Sequence, residues 1–119
     1  MSVMKVPRDA KRLDATFFAL ADATRRAILL RLASGEATVN ELTESFSISQ
    51  PAISRHLKVL EYAGLIARSR DAQRRPARVE PKSIAAVTAW IERYRDTWET
   101  AYARLDAALA DELKAGEKP

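Results

Sequence analysis

The chain contains no cysteine, which excludes disulfides, thiol redox sensing and every thiolate metal site. Three glycines in 119 residues form no glycine-rich phosphate loop, no nucleophile stands beside a plausible base, and no acid pair occupies a recognisable setting. The sequence therefore does not read as an enzyme. No run approaches the roughly 18 apolar residues of a membrane span. Met1 to Leu13 is charged throughout, without the apolar core of a signal peptide. A cytoplasmic protein with no membrane partner is expected. The length suits one domain and is too short for a catalytic domain with a second lobe.

What is present is helix-forming and basic. Ala, Leu, Arg and Glu dominate the C-terminal half, a composition that favours helix. The formal charge is +4, and its placement matters more than its size. Between Ser45 and Lys82 there are eight basic residues (Arg55, Lys58, Arg68, Arg70, Arg74, Arg75, Arg78, Lys82) against three acids (Glu61, Asp71, Glu80). The rest of the chain is nearly neutral. A basic third in a neutral remainder is the footprint of a nucleic-acid surface, although a solvated charged face has the same composition. Both Trp and most other aromatics fall outside this segment. RNA binders usually display stacking aromatics on the basic face, so duplex DNA is the expected partner.

The local signals predict a series of helices. Leu13, Phe17 and Leu20 recur at helical spacing. Asp22 can then cap a second helix with Ile28, Leu29 and Leu32 on one face and a stop at Gly35. Thr38 followed by Glu41 is a capping box, which predicts a third helix over about Val39 to Phe46. After Ser47 and Ile48, Ser49 is a good N-cap and Pro51 fits a first helical turn, where its missing N–H costs nothing. In this fourth helix Ile53, Leu57 and Leu60 share one side and Gly64 supplies a left-handed C-cap. The opposite side presents Pro51, Arg55, Lys58 and Tyr62, flanked by Ala52 and Ser54. Leu65 to Arg70 and Arg75 to Glu80 read as a short or irregular antiparallel hairpin with an arginine-rich tip. Pro76 removes a ladder donor there, which suits an edge strand.

From Pro81 a regular seam begins: Ile84, Val87, Ile91, Tyr94, Trp98, Ala101, Leu105 and Ala108 alternate steps of three and four. A helix of about 33 residues would be about 50 Å long. That is more apolar seam than so small a domain covers by itself, so a homodimer is expected, in which this helix also packs on the first. A monomer in which the helix caps its own subunit is the alternative. The stripe Trp90, Tyr94, Trp98 and Tyr102 reads as core or dimer packing, with a pocket for a hydrophobic effector as the second reading.

Helix, capped helix, tight turn, recognition helix, basic hairpin and long terminal helix is the order of a winged helix-turn-helix. The expected fold is thus mainly α, a winged helix-turn-helix with a short β-hairpin wing and a long C-terminal dimerisation helix. A flexible arm is expected over residues 1–12, the domain over 13–113 and a tail over 114–119. Within the domain the recognition helix falls at about 49–63, the wing at 65–80 and the terminal helix at 81–113. The runs Leu20-Ala21-Asp22-Ala23-Thr24-Arg25-Arg26-Ala27-Ile28-Leu29 and Ser49-Gln50-Pro51-Ala52-Ile53-Ser54-Arg55-His56-Leu57-Lys58-Val59-Leu60, then Ala63-Gly64-Leu65-Ile66, resemble the ArsR family of bacterial repressors over about Leu13 to Leu109. The resemblance implies a homodimer with recognition helices in successive major grooves and an interface built by the first and last helices. It is to a subgroup without the metal-site cysteines and histidines. The third helix of metal-sensing members carries a Cys-x-Cys pair where this chain has Val39-Asn40-Glu41-Leu42, and the only histidine here is His56 on the recognition helix. No metal and no cofactor are expected, and a small-molecule effector stays open.

The DNA-binding set is Ser49, Gln50, Pro51, Ser54, Arg55, His56, Lys58, Arg74 and Arg75. Gln50 can pair with adenine N6 and N7, and Arg55 with guanine O6 and N7, phosphate contact being the alternative for each. Ser49 and Ser54 suit phosphates, and Ser49 also a purely capping role. His56 lies at the edge of the apolar face, where packing and phosphate contact compete. Arg74 and Arg75 suit phosphates or the minor groove. Arg25 and Arg26 sit in a first helical turn, near phosphates or in solvent. The dimer set is Leu13, Phe17, Ile84, Val87, Ile91, Tyr94, Trp98 and Leu105. The competing classes are a sequence-blind architectural DNA binder and a protein interaction module using the long helix.

Overall fold

The computed structural model describes residues 10–70 and 74–116. Its order is α1 (Ala10–Leu20), α2 (Ala23–Ala33), α3 (Val39–Phe46), α4 (Gln50–Tyr62), β1 (Ile66–Arg68), β2 (Ala77–Val79) and α5 (Pro81–Gly116). The chain divides into two units, Met1–Ala85 and Ala86–Pro119. It is the expected mainly helical winged helix-turn-helix. None of the described helices is long and apolar enough to cross a membrane.

The caps act where their residue types predicted. Asp22 is the N-cap of α2, its side chain accepting from the Arg25 amide at 3.0 Å. Thr38 and Glu41 complete a reciprocal capping box at α3, and Ser49 accepts from the Ala52 amide at 3.3 Å with Pro51 in the first turn of α4. Helix α4 ends at Tyr62 with Ala63 as its C-cap, and the next residue, Gly64, has a φ of +77° that a side chain would strain; the Leu65 amide then reaches back to the Leu60 carbonyl at 3.1 Å. Between α3 and α4, Ser47 takes the left-handed conformation with φ 53°, and this tight corner sets the two helices against each other.

The first unit holds the core. Ile28, Leu42, Ile53, Leu57, Leu60 and Leu65 are its large fully buried side chains, each worth about 1.5–3 kcal/mol of burial. They come from α2, α3, α4 and the approach to β1, so the helix-turn-helix is itself the centre of packing. The one buried polar side chain among the described residues, Thr16, bonds the Arg12 carbonyl at 2.9 Å.

The hairpin is the short wing that the sequence reading expects. Each strand has three residues, paired Ile66 with Val79 and Arg68 with Ala77, and the turn residues Asp71, Ala72 and Gln73 lie outside the described residues. In this two-stranded sheet β2 is an edge strand, as expected, and only its first residue, Ala77, has a second neighbour. Ala37, just before α3, bridges Ala77 through amide-to-carbonyl bonds of 3.0 and 2.8 Å. Pro76 is tolerated because it precedes the strand and contributes only its carbonyl, to the Ser69 amide at 2.9 Å.

Helix α1 starts at Ala10, so the last residues assigned to the flexible arm are helical; residues 1–9 lie outside the described residues. At the other end α5 has 36 residues and continues to Gly116, into what was read as tail. None of its residues is buried. In the second unit its aromatics form a ladder. Trp90 stacks on Tyr94 at 5.0 Å between centroids, Tyr94 meets Trp98 edge-on at 5.9 Å, and Trp98 meets Tyr102 at 5.8 Å.

Candidate nucleic-acid interface

Helix α4 turns Ile53, Leu57 and Leu60 inward, and helical geometry leaves Pro51, Arg55 and Lys58 exposed on the other face. Ser54 is half-buried beside them. Ser49, as the cap, is already engaged by the Ala52 amide. Gln50 is exposed in the first turn, and its Nε2 donates to Oδ1 of Asn40 on α3.

The wing lies beside that first turn. Arg68, Arg74 and Arg75 line one recess of about 530 Å³ with Thr38, Val39, Asn40, Glu41 and Gln50. Arg68 Nε donates to the Arg75 carbonyl at 2.9 Å, tying the two sides of the hairpin together, and Arg75 itself has a positive φ of 38°. Burial and then the Arg75 guanidinium lower the Arg68 pKa from its ordinary value; an arginine nevertheless stays charged at neutral pH. Among the described residues that line the recess, Glu41 is the one carboxylate. Glu41 is held below the ordinary carboxylate range by the Thr38 backbone and hydroxyl hydrogen bonds, and further by the charges of Arg31 and Arg74. The recess is therefore cationic, and exposed Arg74 and Arg75 flank the start of α4.

His56 is half-buried, with Nδ1 3.4 Å from Nη1 of Arg25. Arg25 proves to be a structural hub and not a solvated charge. Its Nε donates to the Ala19 carbonyl at 2.8 Å, its Nη2 to the Phe18 carbonyl at 3.1 Å, and its guanidinium lies 5.3 Å from the Phe18 ring centroid. Arg26 donates to the Leu20 carbonyl at 2.8 Å. The pair thus satisfies the free carbonyls at the C-terminus of α1, a favoured place for positive charge. The Arg25 amide hydrogen bond, with the Arg25 charge behind it, holds the Asp22 carboxyl below its ordinary value.

Of the residues assigned to dimerisation, Leu13 is half-buried and Phe17 exposed on α1; on α5, Ile84 and Val87 are half-buried while Ile91, Tyr94, Trp98 and Leu105 are exposed. Sequence reasoning missed Asn40, which carries no motif of its own, and an apolar recess of about 570 Å³ lined by Asp14, Ala15, Phe18, Lys58, Val59 and Tyr62.

A two-helix unit with a basic outer face on its second helix, followed by a two-stranded wing, defines a winged helix-turn-helix DNA-binding protein. The family described as bacterial regulatory protein, arsR family, matches residues 22–68. An HTH-type transcriptional regulator of Mycobacterium tuberculosis is 39% identical over 99 residues, covering 83% of this chain and 92% of that one. The transcriptional repressor SdpR of Bacillus subtilis is 44% identical over 57 residues, 48% of this chain and 63% of the other. The homodimeric winged helix-turn-helix DNA-binding domain of a Mycobacterium bovis protein superposes with a TM-score of 0.62 over 80% of this chain and 91% of its own, at 24% identity, a likeness of fold. The chain belongs to the ArsR family. It is a transcriptional regulator and not an enzyme.

Proposed function

We propose that the protein acts as a homodimeric repressor that binds duplex DNA sequence-specifically at an imperfect inverted repeat. The observation that carries this reading is the outer face of α4, where Arg55 and Lys58 stand exposed on a helix whose other face is fixed by buried Ile53, Leu57 and Leu60. A rigid helix with exposed cations on its outer face is what a major groove admits. In this reading Arg55 and Gln50 read base edges, and Ser49, Ser54, His56 and Lys58 position the helix on phosphates. Arg74 and Arg75 hold the adjacent backbone. Two-fold pairing through the exposed seam of α5, with Leu13 and Phe17 of α1 contributing, gives the symmetry that an inverted repeat mirrors. The homodimeric state of the Mycobacterium bovis domain supports it.

Binding isotherms on operator and scrambled duplexes at several salt concentrations test the assignment. Arg55→Ala should cost roughly 1–3 kcal/mol on the operator and relax preference at one position per half-site. Arg74→Ala should weaken both duplexes alike and shallow the salt dependence by about one unit of slope. If Arg55→Ala lowers both affinities equally while discrimination survives, Arg55 is a positioning residue and readout passes to Gln50 and Ser54.

A further inference from the structure

Gln50 is not a free side chain. Its Nε2 donates to Oδ1 of Asn40, and both residues line the recess that Arg68, Arg74 and Arg75 close from the wing side. Asn40 has no packing duty to explain its place, since it is exposed and Leu42 is the residue α3 buries. Its mid-to-low helix propensity does not explain it either.

The chemistry of an amide gives the contact a consequence. A glutamine side chain offers two N–H donors and one carbonyl acceptor, and its ends exchange by a half-turn about the last torsion. Adenine presents an acceptor at N7 and a donor at N6 in the major groove, whereas guanine presents two acceptors, N7 and O6. An unrestrained Gln50 could turn its NH₂ toward either guanine acceptor or set both ends against adenine. With one N–H held by Asn40, the remaining pair is one donor and one acceptor in fixed order, which matches adenine and mismatches guanine. We propose that Asn40 is a positioning residue for sequence readout: by accepting from Gln50 it fixes which end of the Gln50 amide meets the base, and so sets a preference for adenine over guanine. This rests on the reading of Gln50 as a base reader.

The test is the adenine-to-guanine ratio at each operator position, measured by sequencing duplexes selected from a random pool by the full chain and by Asn40→Ala, Asn40→Asp and Gln50→Ala. A bidentate glutamine contact should give the unmodified protein a ratio of roughly 5 to 150 at one position per half-site. Asn40→Ala, which introduces a better helix former on an exposed surface, should lower that ratio at least about threefold while other positions keep theirs. Asn40→Asp keeps the acceptor and should keep the ratio, although its added negative charge weakens binding to every duplex. An unchanged ratio in Asn40→Ala overturns the proposal, as does an Asn40→Asp ratio as low as that of Asn40→Ala. Gln50→Ala separates the two failures. If it leaves every base preference intact, Gln50 reads no base and the proposal falls with that reading; if it abolishes the preference and Asn40→Ala does not, only the positioning role falls.

Discussion

Replacing Trp98 by Ala should weaken the dimer by a calculable amount. In the isolated chain 44% of Trp98 is exposed. For a tryptophan surface of about 250 Å², that leaves about 110 Å² to be covered by a partner. At about 25 cal/mol per Å², full coverage is worth about 2.7 kcal/mol per protomer, or about 5.5 kcal/mol for the two copies in a two-fold contact. Half coverage gives about half of that. The dimer dissociation constant should therefore rise by roughly 100-fold to 10,000-fold. No residue of α5 is buried within the chain, so the substitution opens no cavity in the core and its effect falls on association. Sedimentation equilibrium of the unmodified and variant proteins over a wide concentration range reads the shift directly. Ile91→Asp combined with Trp98→Asp should give monomer or unfolded chain. The reasoning is refuted if the unmodified protein is monomeric at micromolar concentration, or if Trp98→Ala dimerises as tightly as the parent.

Two further outcomes follow from the sequence and the caps. Stoichiometric zinc, nickel or arsenite should leave DNA affinity unchanged, because the chain has no thiolate and a single imidazole; calorimetry revealing one tight transition-metal site per subunit would contradict this. The depressed carboxyl of Asp22 contributes stability that is fully present above its unfolded pKa of about 4 and is lost as the pH falls through its lower folded value. Asp22→Asn keeps a capping oxygen without the charge, so its acid unfolding curve should be shallower in that window; identical curves would remove the proposed role of the Arg25 contacts.

The elements most legible in the sequence were those with local causes. The capping box of Thr38 and Glu41, the Ser49 cap with Pro51, and the left-handed Gly64 each act within one turn of chain, so residue type and spacing suffice to place them. The division of α4 into Ile53, Leu57 and Leu60 on one side and Arg55 and Lys58 on the other follows from helical periodicity alone. What escaped depended on distance along the chain or on a partner's backbone. Ala37 and Ala77 bridge across forty positions with nothing in either side chain to mark it. Arg25 looked like one more surface cation because its ligands are carbonyls of the preceding helix, which any sequence would supply. Asn40 and Gln50 meet only because the corner at Ser47 folds α3 and α4 together.

Selection of duplexes from a random pool by the purified protein tests the central claim most directly. A two-fold dimer presenting two α4 helices should enrich an imperfect inverted repeat whose half-sites lie about one helical turn, about 34–36 Å, apart. Enrichment of a single unrepeated motif would contradict dimeric recognition, and a pool left unenriched despite binding would make the protein a sequence-blind DNA binder.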